Sequence, residues 1–218
     1  MKNNRNGARA PRGQKRRTPD LGYYLIVTDT QETEKNYLDG LKREIPDHLQ
    51  NRLVINVKRT ETSNLIEEVS NLISISPQYR EPWIVFDKDQ NLNFDEIIRR
   101  AEARGIRVGW SNPCIEIWFL AYFSTMPTYQ NSKSCVDGFS DLYIKKTRSH
   151  YQKSDRDIYE KLNKYGDQKK AIRHAKQKKK EYEYDKGCLP SNMNPGTTLH
   201  ELVEEILAKV NSSNNNRI

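Results

Sequence analysis

Apolar residues along this chain fall into two kinds of run. Short unbroken runs, Tyr23-Tyr24-Leu25-Ile26-Val27 and Trp83-Ile84-Val85-Phe86, leave no polar side for solvent, the pattern of strands covered on both faces. Residues 53–57 and 106–110 read as two further strands. Between them the apolar positions recur at helical spacing. Tyr37, Leu38, Leu41 and Ile45 mark a helix over 31–44, stopped by Pro46, and Leu65, Ile66, Val69, Leu72 and Ile73 mark another over 63–73. A third helix, over 94–104, ends at Gly105 as a left-handed cap. Strands alternating with helices at this spacing predict right-handed crossovers and an α/β fold with a mainly parallel four-stranded core sheet flanked by helices.

After residue 110 the pattern changes. Ser111-Asn112-Pro113-Cys114 reads as a turn, and residues 115–123 are too apolar all round for a surface helix, which predicts a helix deep in the fold. Residues 124–140 read as a turn-rich link, followed by helices over 155–165, 168–182 and 198–210. The predicted organisation is a core over 20–123, a mostly helical C-terminal region over 124–210 packed on it, and a flexible tail over 211–218.

Charge adds a segment at the other end. Of a formal net charge of +8, seven positive charges (Lys2, Arg5, Arg9, Arg12, Lys15, Arg16 and Arg17) lie in residues 1–19, which hold no acid. Such a stretch cannot bury enough apolar surface to order itself, which predicts a disordered tail. It is either a solubilising tail or an arm whose Arg16 and Arg17 meet the phosphates of nucleic acid. Lys169, Arg173, Lys176 and Lys180 share one face of a predicted helix, either a solvated face or a second phosphate-binding stripe. No apolar stretch approaches the roughly 18 to 20 residues that cross a bilayer, and no secretory apolar region follows the N-terminal basic residues, so a cytoplasmic protein is expected. Cys114, Cys135 and Cys188 have neither disulfide-framework nor zinc-site spacing, and the histidines share no ligand spacing; His200, near the start of the last helix, reads as structural.

In a parallel α/β sheet, functional groups collect beyond the carboxyl ends of the strands. Asp29, Asp87, Asp89 and the segment 111–116 all fall there. Two aspartates one residue apart after a strand can reach a single hard cation, and Mg²⁺ held by carboxylates keeps positions for phosphate oxygens. The alternative is that Asp87 and Asp89 start the next helix as its cap and first-turn acid. Glu116, among Pro113, Cys114, Ile117, Trp118 and Phe119, is either a further site acid or a hydrogen-bonded structural glutamate.

Several segments together resemble one family. They are Thr28-Asp29-Thr30-Gln31-Glu32-Thr33-Glu34 with Tyr37 behind it, Val85-Phe86-Asp87-Lys88-Asp89, and Ser111-Asn112-Pro113-Cys114-Ile115-Glu116-Ile117-Trp118-Phe119. Tyr151-Gln152-Lys153, the segment from Ala171 to Lys176 and that from Met193 to Val203 continue the match. The chain resembles the RloB-like family, whose fold is similar to Toprim, the metal-binding domain of topoisomerases, primases and OLD-type nucleases. The resemblance implies a nuclease with Mg²⁺ or Mn²⁺ as cofactor, acting on RNA, including tRNA, or on DNA. It also implies a role in bacterial defence against phage, often beside a partner ATPase; whether the chain forms a homo-oligomer stays open. It further implies Asp87, Asp89 and Asp29 as metal ligands, with Glu34 and Glu116 completing the catalytic acids. The departure is at Asp29-Thr30, where the family has Glu-Gly; aspartate is a methylene shorter, and Glu34 stands ready to share its role. The alternative function is a non-catalytic subunit with a degenerate site that binds nucleic acid or the ATPase.

Overall fold

A computed structural model describes residues 21–29, 32–76, 81–89, 91–185 and 187–215. Strand β1 (Gly22–Thr28) is followed by α1 (Thr33–Arg43), β2 (Leu53–Arg59), α2 (Leu65–Ile75), β3 (Glu81–Asp87), α3 (Phe94–Glu102) and β4 (Arg107–Asn112). The buried α4 (Glu116–Ala121), α5 (Ser132–Thr147), α6 (Ile158–Tyr165) and α7 (Gln168–Glu183) come next, then the two-residue β5 (Gly196–Thr197) and α8 (Leu199–Asn215). The sheet order is β2-β1-β3-β4-β5, parallel throughout except for β5, which runs antiparallel to β4.

The unbroken apolar runs explain the layering. Side chains of a strand alternate between faces, so Tyr24, Ile26, Trp83 and Val85 enter one core while Leu25, Val27, Ile84 and Phe86 enter the other. The first core is closed by α1 and by α4 to α8; the second is closed by α2 and α3, through Leu65, Ile66, Val69, Phe94, Ile98 and Ala101. The result is a sheet between two helical layers, as the sequence pattern predicts, with α4 buried along its whole length.

Three differences from the sequence reading have local causes. Residues 124–140 are not all link: α5 begins at Ser132, capped by the Asn131 side chain accepting from the Ser134 amide at 2.9 Å, and it buries Cys135, Phe139 and Tyr143 at intervals of one turn. Ser111 and Asn112 are not a turn but the end of β4, because Thr197 and Gly196 pair with them as a fifth strand. Helix α8 continues past residue 210 to Asn215, with the Ser212 and Ser213 hydroxyls donating to the Lys209 carbonyl at 3.1 and 3.0 Å. All three cysteines are free thiols, and no described helix is long and apolar enough to cross a membrane. The predicted basic tail over 1–19, with Arg16 and Arg17, lies outside the described residues.

Helices α1 and α6 touch closely at Gly40, where an added Cβ would stand 2.3 Å from the Cβ of Tyr159. Alanine in a helix normally gains about 1 kcal/mol over glycine, whereas overpacking costs about 1–3 kcal/mol, and at 2.3 Å between two buried carbons the second effect wins. Gly40→Ala is therefore expected to lower Tm by about 3–6 °C in a circular-dichroism melt; a rise would show that α6 can move away freely.

Candidate active site

The chain leaves β1 toward β2 on one side and returns to β3 on the other, so β1 and β3 are neighbours whose following loops diverge. Such a switch point opens a crevice beyond the carboxyl ends of the two strands. A cleft of 620 Å³ lies there, lined among others by Asp29, Glu34, Asp87, Asp89 and Glu116. The five acids singled out in the sequence thus share one cavity.

Each is held differently. Asp87 ends β3, and its Oδ2 accepts the Ile115 amide at 2.9 Å, which ties the strand to the entry of α4. Asp29, just past β1, accepts from the Thr62 hydroxyl at 2.8 Å through Oδ2, while its Oδ1 is buried without a partner. Glu34 enters from the first turn of α1 and is 1% exposed. Glu116, also 1% exposed, accepts from the Tyr151 hydroxyl at 2.9 Å and has the Lys153 ammonium at 4.0 Å; its Oε2 is buried without a partner. Asp89 is exposed and lies two residues beyond the strand end in a left-handed conformation, φ 36°, so strand alternation no longer sets its direction.

The charges are crowded. Enclosure in the cleft, then Glu34, Glu116 and Asp29, and a hydrogen bond with Glu34, together push the Asp87 carboxyl well above the usual carboxylate range. Asp29 is likewise raised, first by burial and also by Asp89, against the lowering effect of the Thr62 hydrogen bond. Burial and the neighbouring Glu116 push the Tyr151 phenol up, so it stays a donor. Burial opposes the charge on Lys153, but Glu116, Glu34 and Asp87 outweigh it and raise its pKa, so it stays an ammonium. Among the described residues Lys153 is the one cation lining the cleft.

The donor set suits a hard divalent cation: carboxylate oxygens, two of them buried and unpartnered. Among the described residues no three His, Cys, Asp or Glu side chains converge closely enough to hold an ion by themselves. The fit is therefore to an ion held by one or two carboxylates, with Asp87 and Glu34 already in contact, and completed by water or phosphate oxygens.

Among the cleft residues to which sequence reasoning gave no role are Thr62, Asn91, Ser132 and Lys153. The Asn91 Nδ2 is a buried donor without a partner. Of these only Lys153 had a signal, in the Tyr151-Gln152-Lys153 segment. The basic stripe of Lys169, Arg173, Lys176 and Lys180 is exposed along α7, as its spacing predicts, but Lys176 is paired to Glu204 of α8 at 2.6 Å. The neighbouring Lys179 pairs with Glu201 at 2.5 Å. His200 is buried and shares a 3.0 Å hydrogen bond between its Nδ1 and the Thr197 carbonyl.

The raised Asp87 pKa has a consequence for stability. Above the ordinary carboxylate value of 3.8 the unfolded chain releases the Asp87 proton while the folded protein holds it. The folded state then binds more protons, and this group makes stability fall as pH rises from about 4 toward the raised folded pKa. In metal-free buffer at pH 7, Asp87→Asn is expected to raise Tm by about 2–5 °C, with the gain shrinking toward pH 4; differential scanning calorimetry across that range checks it.

Searches of the curated proteins and of the solved structures return no match. The family described as RloB-like protein matches residues 24–206. That span contains most of β1, both strand-end acids, the cleft and the first half of α8, and the chain belongs to the RloB-like family.

Proposed function

We propose that the chain is a metal-dependent nuclease that hydrolyses phosphodiester bonds of RNA or DNA with Mg²⁺ or Mn²⁺ in the acidic cleft. The observation that carries this reading is the surrounding of Asp87 by Glu34, Glu116 and Asp29 with a single lysine for compensation. Carboxylates crowded this way repel unless protons or a cation sit between them. A divalent ion bound there supplies charge neutralisation and polarises a phosphate oxygen. Asp87 and Glu34 would hold it, with Asp29 reaching it through water and Asp89 at the mouth.

The chain's own groups then have defined tasks. Lys153 and the unpartnered Nδ2 of Asn91 bind non-bridging phosphate oxygens. Tyr151 holds Glu116, which in turn keeps the Lys153 ammonium at 4.0 Å in the lining of the cleft. The carboxylate of Asp29 accepts the proton of the attacking water as the new P–O bond forms, and the opposite P–O bond breaks to give the leaving sugar oxygen. Its pKa, raised by burial, brings it closer to the working pH of a general base. The role in phage defence that the family resemblance implies, and control by a partner ATPase, belong to this proposal, with the exposed stripe of α7 and the Arg16 and Arg17 arm as further contacts for the phosphate backbone.

One observation favours a second reading, a subunit that keeps the fold and binds nucleic acid or an ATPase without cleaving. No three acids converge among the described residues, and the first acid is the shorter aspartate. Calorimetric titration with Mn²⁺ separates the two readings, since a degenerate site binds no better than Asp87→Ala.

Incubated with Mn²⁺ and mixed RNA and DNA, the protein is expected to cleave at least one of them, and Asp87→Ala to lose about 100-fold or more of that rate. Equal cleavage by both proteins would falsify the assignment. Lys153→Ala is expected to lower kcat by about 10–100-fold and leave the Mn²⁺ affinity within about twofold; loss of metal binding instead would move Lys153 from phosphate contact to support of the ligands.

A further inference from the structure

Beside the acidic cleft lies a second cavity, of 400 Å³, within the range of about 300–1,000 Å³ typical of small-ligand sites. The two share Asp89 and Ser132 in their linings, so they meet along one rim. Their electrostatics are opposite. The second cavity sets Lys88 and Lys133 against the single carboxylate of Asp89, and apart from one proline the rest of its lining is amide and hydroxyl. Among the described residues neither lysine forms an ion pair.

Two further observations say what would fit. Ser132 and Lys133 open the 16-residue α5; with the Ser134 amide taken by the Asn131 side chain, their two amides remain as N–H donors at the partly positive end of the helix. Asn194 donates its Nδ2 to the Tyr129 carbonyl at 2.7 Å, which fixes the amide orientation, and its Oδ1 is left buried without a partner. Lysines and helix amides ask for an anion, whereas an unpartnered carbonyl oxygen asks for an N–H or O–H donor. A phosphodiester group offers acceptors alone. A nucleotide offers both.

We propose that this cavity is a nucleotide subsite that takes the residue flanking the bond held in the acidic cleft. Lys88 and Lys133 grip its phosphate, the amino end of α5 adds donors, and Asn194 Oδ1 accepts from the sugar or base. Asp89 sits at the junction in a left-handed conformation, φ 36°, which an aspartate tolerates better than most residues and which places it in both cavities at once. The subsite deepens the nuclease reading and rests on it for the identity of the neighbouring bond.

The test uses the full chain in EDTA, where cleavage does not intervene. Binding of a fluorescein-labelled single-stranded oligonucleotide, in ribo and deoxyribo forms, is followed by anisotropy over a salt series. The Lys88→Ala/Lys133→Ala double variant is expected to bind at least tenfold more weakly, with the salt slope reduced by about 1. Lys146→Ala, at the other end of α5, is expected to bind as wild type. Asn194→Ala is expected to weaken binding severalfold with the salt slope unchanged, and adenosine monophosphate to compete better than inorganic phosphate. Unchanged melting curves and Mn²⁺ affinity in the variants exclude misfolding. Wild-type affinity in the double variant overturns the subsite, and equal competition by the two phosphates overturns its nucleoside half. The two proposals fail separately. A wild type that never cleaves, with binding lost in the double variant, removes the hydrolase and leaves the subsite. Cleavage with unchanged KM in the double variant does the reverse.

Discussion

The structure depends on burying both faces of β1 and β3. Leu25, Ile26 and Val27, and Ile84 and Phe86, are fully buried; at roughly 1.5–3 kcal/mol for each such side chain, neither face can be left to water. Helices must therefore cover both sides, and the chain reaches both only by winding in opposite senses from β1. That reversal opens a crevice between the two strands where their loops part. The strand ends deliver Asp29 and Asp87 to it, α1 delivers Glu34 from one layer, and α4 delivers Glu116 from beneath.

The acidic cleft works against this packing. Asp87 carries a carboxyl into a place where three other acids raise its pKa, and one buried oxygen each of Asp29 and Glu116 has no partner. Folding alone gives no reason to collect such groups. They persist because the surrounding core fixes them: the Ile115 amide on Asp87, the Thr62 hydroxyl on Asp29 and the Tyr151 hydroxyl on Glu116 each come from a different loop or helix entry. The site is thus held by hydrogen bonds from outside the two strands that position it.

What the sequence revealed follows the same division. The strands were legible because two-sided burial leaves an unbroken apolar run, and the acids at their ends were legible because a parallel sheet has one functional edge. Glu116 stood out as a charge in an apolar helix. Helix α5 was obscured because Cys135, Phe139 and Tyr143 are diluted by Ser134, Gly138 and Ser140, and β5 has only two residues and no pattern of its own. Thr62, Asn91 and Ser132 reach the cleft from loops or a helix start, by contacts that no periodicity encodes. The pairing of Lys176 with Glu204 across α7 and α8 was equally invisible, since a helical face shows its spacing and not its neighbours.

The pairing of β5 with β4 bears on how the protein is born. The end of β4 is secured by partners from far along the chain: the Asn112 side chain donates to the Pro190 carbonyl 78 residues on, and the Trp110 amide to the Thr198 hydroxyl 88 residues on. The same strand end supports the Lys88 amide and leads into the Ile115 amide that fixes Asp87. Contacts so distant in sequence form late. On the ribosome the sheet can begin to assemble long before its edge is closed, and a nascent or truncated chain carries the acids without the frame that arranges them.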